Sequence, residues 1–214
     1  MNGKLIRLAP LAGLAYAALT LAGDLTIGAY PRGTTPPDQL AAYYAAHHGE
    51  VALGGTLIAW GAVFLTLFGA SLWARLRDGA GSRFAAGVVL LGTAMLAMSA
   101  VQSAGTYILL GDFGANPVLS PGALQSWHLA GSEFGVGSDL LILTVGVLAA
   151  SITAKAVPAW LGWTGLAIGI AQFTPFGFLA SLVFLLWAAI AGITLAARRP
   201  APAPAPSTAI PLPA

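Results

Sequence analysis

Cysteine is absent from the 214 residues, which excludes disulfides, thiolate metal sites and a cysteine nucleophile. Charge is scarce as well. Asp, Glu, Lys and Arg make up 7% of the chain, against about a quarter in a soluble domain, which excludes an ordinary water-facing surface. The net charge of +2 is spread over the whole length with no basic patch, so no nucleic-acid partner is expected. Phosphate loops, haem-ligand pairs, dinucleotide fingerprints and a Ser–His–Asp order are also missing, and no cofactor is expected. What fills the chain is apolar: 57% hydrophobic residues and a mean hydropathy of +0.83 mark an integral membrane protein whose main partner is the lipid bilayer.

A helix needs roughly 20 apolar residues to cross the hydrocarbon core. Runs of that kind fall at 8–30, 51–74, 84–110, 126–150, 160–174 and 176–197. The fifth is short and is parted from the sixth by Thr174-Pro175-Phe176-Gly177, a tight hairpin signal. The expected fold is all-α, a polytopic bundle of six transmembrane helices forming one domain over 1–199. The Pro/Ala-rich tail, 200–214, is expected to be disordered.

Basic residues fix the orientation. Lys4, Arg7, Arg75, Arg77, Arg83, Lys155, Arg198 and Arg199 all fall on one side of a six-span layout, and Arg32 alone on the other. Both termini are therefore expected in the cytoplasm, and the loops holding Arg32 and Asn116 outside. The first run carries a basic start and an Ala-Tyr-Ala step at 15–17, yet continues to Ile27, too long for a usual signal core, and reads as a retained helix.

The first outer loop carries its own helix signal. Thr35-Pro-Pro-Asp38 is a helix start, with a capping Thr, prolines in the first turn and an early acid. The strong helix formers that follow predict a short interfacial helix, with Tyr43 and Tyr44 at headgroup level. That helix would bring His47, His48 and Glu50 to the mouth of the second span.

Ionisable groups gather in the outer half. At about 1.5 Å rise per residue, Asp24 lies roughly 9 Å below Tyr30, and Glu133 roughly 9 Å below Trp127. Gln102 lies roughly 12 Å inside Leu110, Gln172 near the outer end of span five, and Asp139 near mid-membrane. His47, His48, Glu50 and His128 sit above this layer. Groups this costly in hydrocarbon face the bundle interior, a partner or a wet cavity, so their shared depth predicts one outward-facing polar pocket. The bland alternative makes Gln102 and Gln172 interhelical pins worth about 0.6 to 2 kcal/mol each.

On a continuous span four, His128, Ser132, Gly135 and Asp139 share one face, and Gly131-x-x-x-Gly135 admits another backbone there. Glu133 points elsewhere, with Asp24 as a candidate neighbour. Two carboxyls at matched depth can share one proton, which suits acid catalysis on a lipophilic substrate and equally a proton-coupled carrier. Asp24, Glu133, Asp139 and His128 are thus the candidate catalytic groups. Gln102, Tyr107, Trp127, Gln172, His47, His48 and Glu50 are candidates for binding the substrate. The outer histidines with Glu50 match no metal-ligand spacing, and no metal is expected.

The chain resembles a group of uncharacterised integral membrane proteins common in actinobacteria, a family with a domain of unknown function. The resemblance is carried by "PDQLAAYYAAHHGE" entering span two, Pro158-Ala-Trp-Leu-Gly-Trp163 opening span five, and the six-span layout. It implies a fold and a bacterial plasma-membrane location, and no chemistry. Three functions fit the residues. A membrane-embedded cyclase, isomerase or hydrolase acting on a lipophilic small molecule is favoured, because the inner half offers no polar through-path. A proton-linked small-molecule transporter and a non-catalytic scaffold or partner subunit are the alternatives.

Overall fold

The computed structural model describes residues 8–77, 83–114, 119–133, 136–153 and 157–197, with no side chain described at 130–138. The described residues form helices joined by short loops and turns, with no strand among them. A single 3-10 turn, Ala9–Leu11, leads into α1 (Ala12–Ile27). Then come α2 (Pro37–Leu76), α3 (Arg83–Phe113), α4 (Pro121–Glu133), α5 (Val136–Thr153), α6 (Ala159–Ala171) and α7 (Gly177–Ala197). Four stretches are long and apolar enough to cross a membrane: 9–27, α2, α3 and α7. α6 and most of α5 form two shorter apolar helices. The expected tail lies outside the described residues.

Local chemistry accounts for the boundaries. α1 stops at Gly28, whose φ of 69° is open to glycine, and whose N–H bonds the Asp24 carbonyl at 3.0 Å. α2 opens with Pro37 and Asp38 in its first turn, as the sequence predicts, although Pro36 rather than Thr35 holds the capping position. α4 begins behind Ser120, whose Oγ accepts from the Ala123 N–H at 3.3 Å.

One expectation changes shape. The interfacial helix is not separate: it is the first part of α2, set off by a kink at His47 (φ −120°, ψ 16°). There the imidazole Nδ1–H donates to the Tyr43 carbonyl at 3.0 Å, competing for the acceptor that the backbone ladder would use. The described part of the run 126–150 falls in α4 and α5, and residues 134 and 135 between them lie outside the described residues. The hairpin at 172–176 is as expected and parts α6 from α7.

The helices pack as a ring. α1 lies on α2, α2 on α3, α3 on α5, α5 on α6, α6 on α7 and α7 back on α1, while α4 leans on α2 and α3. Close approach comes from small residues, as expected where lipid is as apolar as the side chains. A Cβ at Gly23 would sit 2.7 Å from the Gly54 carbonyl, and one at Gly13 2.6 Å from the Ala188 carbonyl. At the α3–α5 seam a Cβ on Gly92 would sit 2.6 Å from the Leu143 Cα, with the Leu143 nitrogen closer still. One half of the ring is filled by Tyr16, Phe68, Leu96, Leu143, Phe184 and their neighbours. A second apolar cluster joins Ile27, Tyr44, Val51, Ile58, Leu110 and Leu124 at the other end, beneath α4. Trp187 ties α7 to the start of α6 through its indole N–H, which donates to the Leu161 carbonyl at 3.1 Å.

Candidate functional site

The contacts each helix makes with its two ring neighbours decide which of its sides faces inward. α3 meets α5 through Val89 and Gly92, and α2 through Thr93 and Ala104. At ~100° per residue the sector between those contacts holds Leu96, Ala100, Ser103 and Tyr107. Leu96 is buried, and the next three are partly exposed. α7 repeats the pattern: Ala191, Ala188 and Phe184 are buried on its inward side, and Ser181 and Gly177 are partly open. On α1, Tyr16 and Ala17 are buried, Thr20 is partly open and Asp24 is exposed. On three helices the inward sequence of side chains thus passes from buried to partly exposed toward the same end of the bundle. Asp24 belongs to that end, since its charge is within electrostatic reach of both Tyr16 and Tyr107, and Tyr107 stands on the non-adjacent helix α3.

Asp139 lies deeper in the bundle, between α3 and α5. It is 6% exposed and accepts a short hydrogen bond from the Ser99 hydroxyl. Ser99 lies 14 residues from the Phe113 end of α3, about 21 Å along a helix, so this pair sits near the middle of the bundle. Asp139 stands in the first described turn of α5.

At the end of the bundle where α4 packs is a cluster of aromatic rings that the sequence reading only partly assembled. His128 is wholly buried. Its Nδ1 is 2.8 Å from the Tyr44 hydroxyl, which is 2.9 Å from the Tyr30 hydroxyl. The imidazole stacks on Tyr30 with centroids 4.8 Å apart, and Tyr30 meets Tyr107 edge-on at 5.2 Å. Tyr43 adds a hydrogen bond from its hydroxyl to the Ile27 carbonyl at 3.2 Å, which ties the end of α1 to α2.

Tyr30, Tyr44 and His128 form one continuous hydrogen-bond chain. Each hydroxyl has one proton, so two arrangements satisfy both bonds. Either Tyr30 donates to Tyr44 and Tyr44 donates to Nδ1, leaving the proton of the neutral ring on Nε2, or Nδ1–H donates to Tyr44 and Tyr44 to Tyr30, leaving Nε2 a bare acceptor. Nε2 is buried and makes no hydrogen bond of good geometry. Burial pushes the His128 imidazole below its ordinary range, against a smaller opposing pull from the backbone of Arg32 and Pro31. Burial and the surrounding phenols push the Tyr30 hydroxyl strongly upward. Both groups are held neutral near pH 7.

The sign of the pH effect follows. Because folded His128 resists protonation, the unfolded chain binds the extra proton first as pH falls through about 6.5. The contribution of His128 is therefore fully present above that value and is lost below it, down to the folded pKa. The thermal unfolding midpoint in detergent is expected to drop between about pH 7.5 and about pH 5.5, and to drop less in His128→Gln. An equal drop in both proteins would remove His128 from the account.

The remaining predicted residues are dispersed. Gln172 is a pin, as its bland reading had it. With its amide oxygen accepting from the Ser181 Oγ and N–H at 3.0 Å, and its nitrogen donating to the Gly177 carbonyl at 3.2 Å, it braces the turn between α6 and α7. Gln102 is exposed and lies outside the inward sector of α3. His47 stacks on Tyr43 at 4.6 Å, while His48 and Glu50 are exposed at the mouth. Trp127 is 43% exposed beside buried His128. The side chain of Glu133 and the Gly131/Gly135 seam lie outside the described residues. His128 lies on α4 and Asp139 on α5, and the expected common face of the two depends on residues 134 and 135, which lie outside the described residues.

Tyr30, Tyr44 and Ser99 were missed as site residues. Tyrosine at a bilayer interface reads as an anchor, and a lone serine in a span carries no signal, so only the fold could bring them to His128 and Asp139. In comparisons with protein-family models, curated proteins and solved structures, nothing matches this chain.

Proposed function

We propose that this chain is a six-span bacterial membrane protein, with both termini in the cytoplasm, that binds a lipophilic small molecule in a recess open to the outside. Acid–base chemistry on that molecule is assigned to the His128–Tyr44–Tyr30 relay. The orientation is supported by Arg75, Arg77 and Arg83 at one end of α2 and α3, and by Arg32 alone at the other end among the described residues. The single observation that carries the binding reading is the shared change from buried to open on the inward sides of α1, α3 and α7. A packed bundle without a ligand site has no reason to leave Asp24 and Ser103 open at one end of its core.

The relay supplies what a cyclase, isomerase or hydrolase needs on such a substrate. It is a neutral donor–acceptor chain whose end, Nε2, changes between giving and taking a proton. Tyr107 joins it to the recess, since its ring touches Tyr30 and its side chain lies on the inward side of α3.

Mass spectrometry of molecules that co-purify in mild detergent tests the reading. A defined lipophilic compound is expected with the wild type and should be missing from Ser103→Trp, which fills the recess. The same bulk lipids in both preparations would count against it.

A further inference from the structure

We propose that the recess takes an amphiphilic cation, an ammonium or phosphonium carried on an apolar body, with Asp24 as its counter-charge. This rests on the reading of the recess as a binding site and adds the chemical class of the ligand.

Three observations converge. First, Asp24 is exposed, and its charge acts on Tyr16 and Tyr107, both on the inward sides of their helices, where no other charged side chain of α1, α3 or α7 is placed. A carboxylate there is costly without a partner, and the ligand is the group free to supply the opposite charge. Second, the ring of Tyr107 stands across from it on α3, within electrostatic reach of Asp24. A tyrosine face adds attraction for a cation and none for an anion. Third, the approach is acidic. Asp38, Glu50 and Asp112 are all exposed toward the same end, against Arg32 as the basic side chain described there. Clefts lined by one sign of charge concentrate ions of the other sign. The apolar body of the ligand would lie on the floor of the recess, where Leu96 and Phe184 close the core.

The test uses the full chain in nanodiscs and a pair of probes alike in size and shape but opposite in charge: tetraphenylphosphonium and tetraphenylborate. A neutral probe, N-phenyl-1-naphthylamine, is the reference, and Ser103→Trp gives the bilayer background. Saturable binding of the phosphonium at least tenfold tighter than that of the borate is expected. Asp24→Asn should weaken the phosphonium about tenfold and leave the neutral probe unchanged, while Asp24→Glu should retain most of the affinity. If the borate or the neutral probe binds saturably and Asp24→Asn leaves the phosphonium unaffected, the cation assignment is overturned while the recess survives as a site. If no probe binds above the Ser103→Trp background, the binding-site reading fails and the cation assignment with it.

Discussion

Replacing Gly92 by alanine is expected to cost about 3 kcal/mol, among the largest effects of any single methyl group in this chain. The added Cβ would fall 2.6 Å from the Leu143 Cα and closer to its nitrogen. Those are backbone atoms, which cannot turn aside as a side-chain tip can. α3 and α5 would have to part along a seam that also depends on Gly146, where a Cβ would sit 2.8 Å from the Val89 nitrogen. Parting them would loosen the Ser99–Asp139 bond, which bridges the same two helices. Gly105, on the same helix, has nothing within 4 Å of its Cβ position. Gly105→Ala should therefore be neutral or slightly stabilising, by up to about 1 kcal/mol from helix propensity alone. Unfolding of both variants in mixed micelles checks this, and similar stabilities for the two would contradict close packing at the seam.

Removing the imidazole of His128 has the second large effect. His128→Ala is expected to cost about 2 to 4 kcal/mol, because it empties a fully buried site and deprives Tyr44 of its partner. Tyr44→Phe should cost less, about 1 to 2 kcal/mol, since the ring stays and only the hydroxyl's bonds to His128 and Tyr30 go. The double variant should be less damaged than the sum of the two, with a coupling of about 1 kcal/mol, because both remove the same bond. Strict additivity would mean that the 2.8 Å contact contributes nothing. The two variants should also part in function: Tyr44→Phe keeps the recess but interrupts the relay, so ligand should still co-purify while turnover is lost.

Composition and apolar runs made the helical membrane bundle legible, because crossing hydrocarbon admits few alternatives to helices. The hairpin at Pro175 and the helix start at Pro37 were legible for a similar reason, as proline fixes the backbone locally. The joining of the interfacial helix to the second span through a kink at His47 was not. An apolar run says that a segment lies in the membrane, not where its helix begins. Within the candidate site, Asp24, Tyr107, His128 and Asp139 were singled out by the cost of burying polar groups. Their partners needed the ring: Ser99 comes from α3, Tyr44 from α2 and Tyr30 from the loop between α1 and α2. Inward direction was illegible as well, since it depends on which neighbours a helix meets. This is why Gln102, one residue from Ser103, proves to face away.

The absence of cysteine makes one measurement unusually clean. Single cysteines placed at Ser103 and Ser181 test the outward-open recess directly, with Leu96→Cys and Phe184→Cys as matched positions one or two turns deeper on the same inward sides. A membrane-impermeant methanethiosulfonate added from outside is predicted to label positions 103 and 181 and to leave 96 and 184 unmodified in the folded protein. Labelling of 103 and 181 only from the cytoplasmic side, or equal protection of all four positions, would contradict the account.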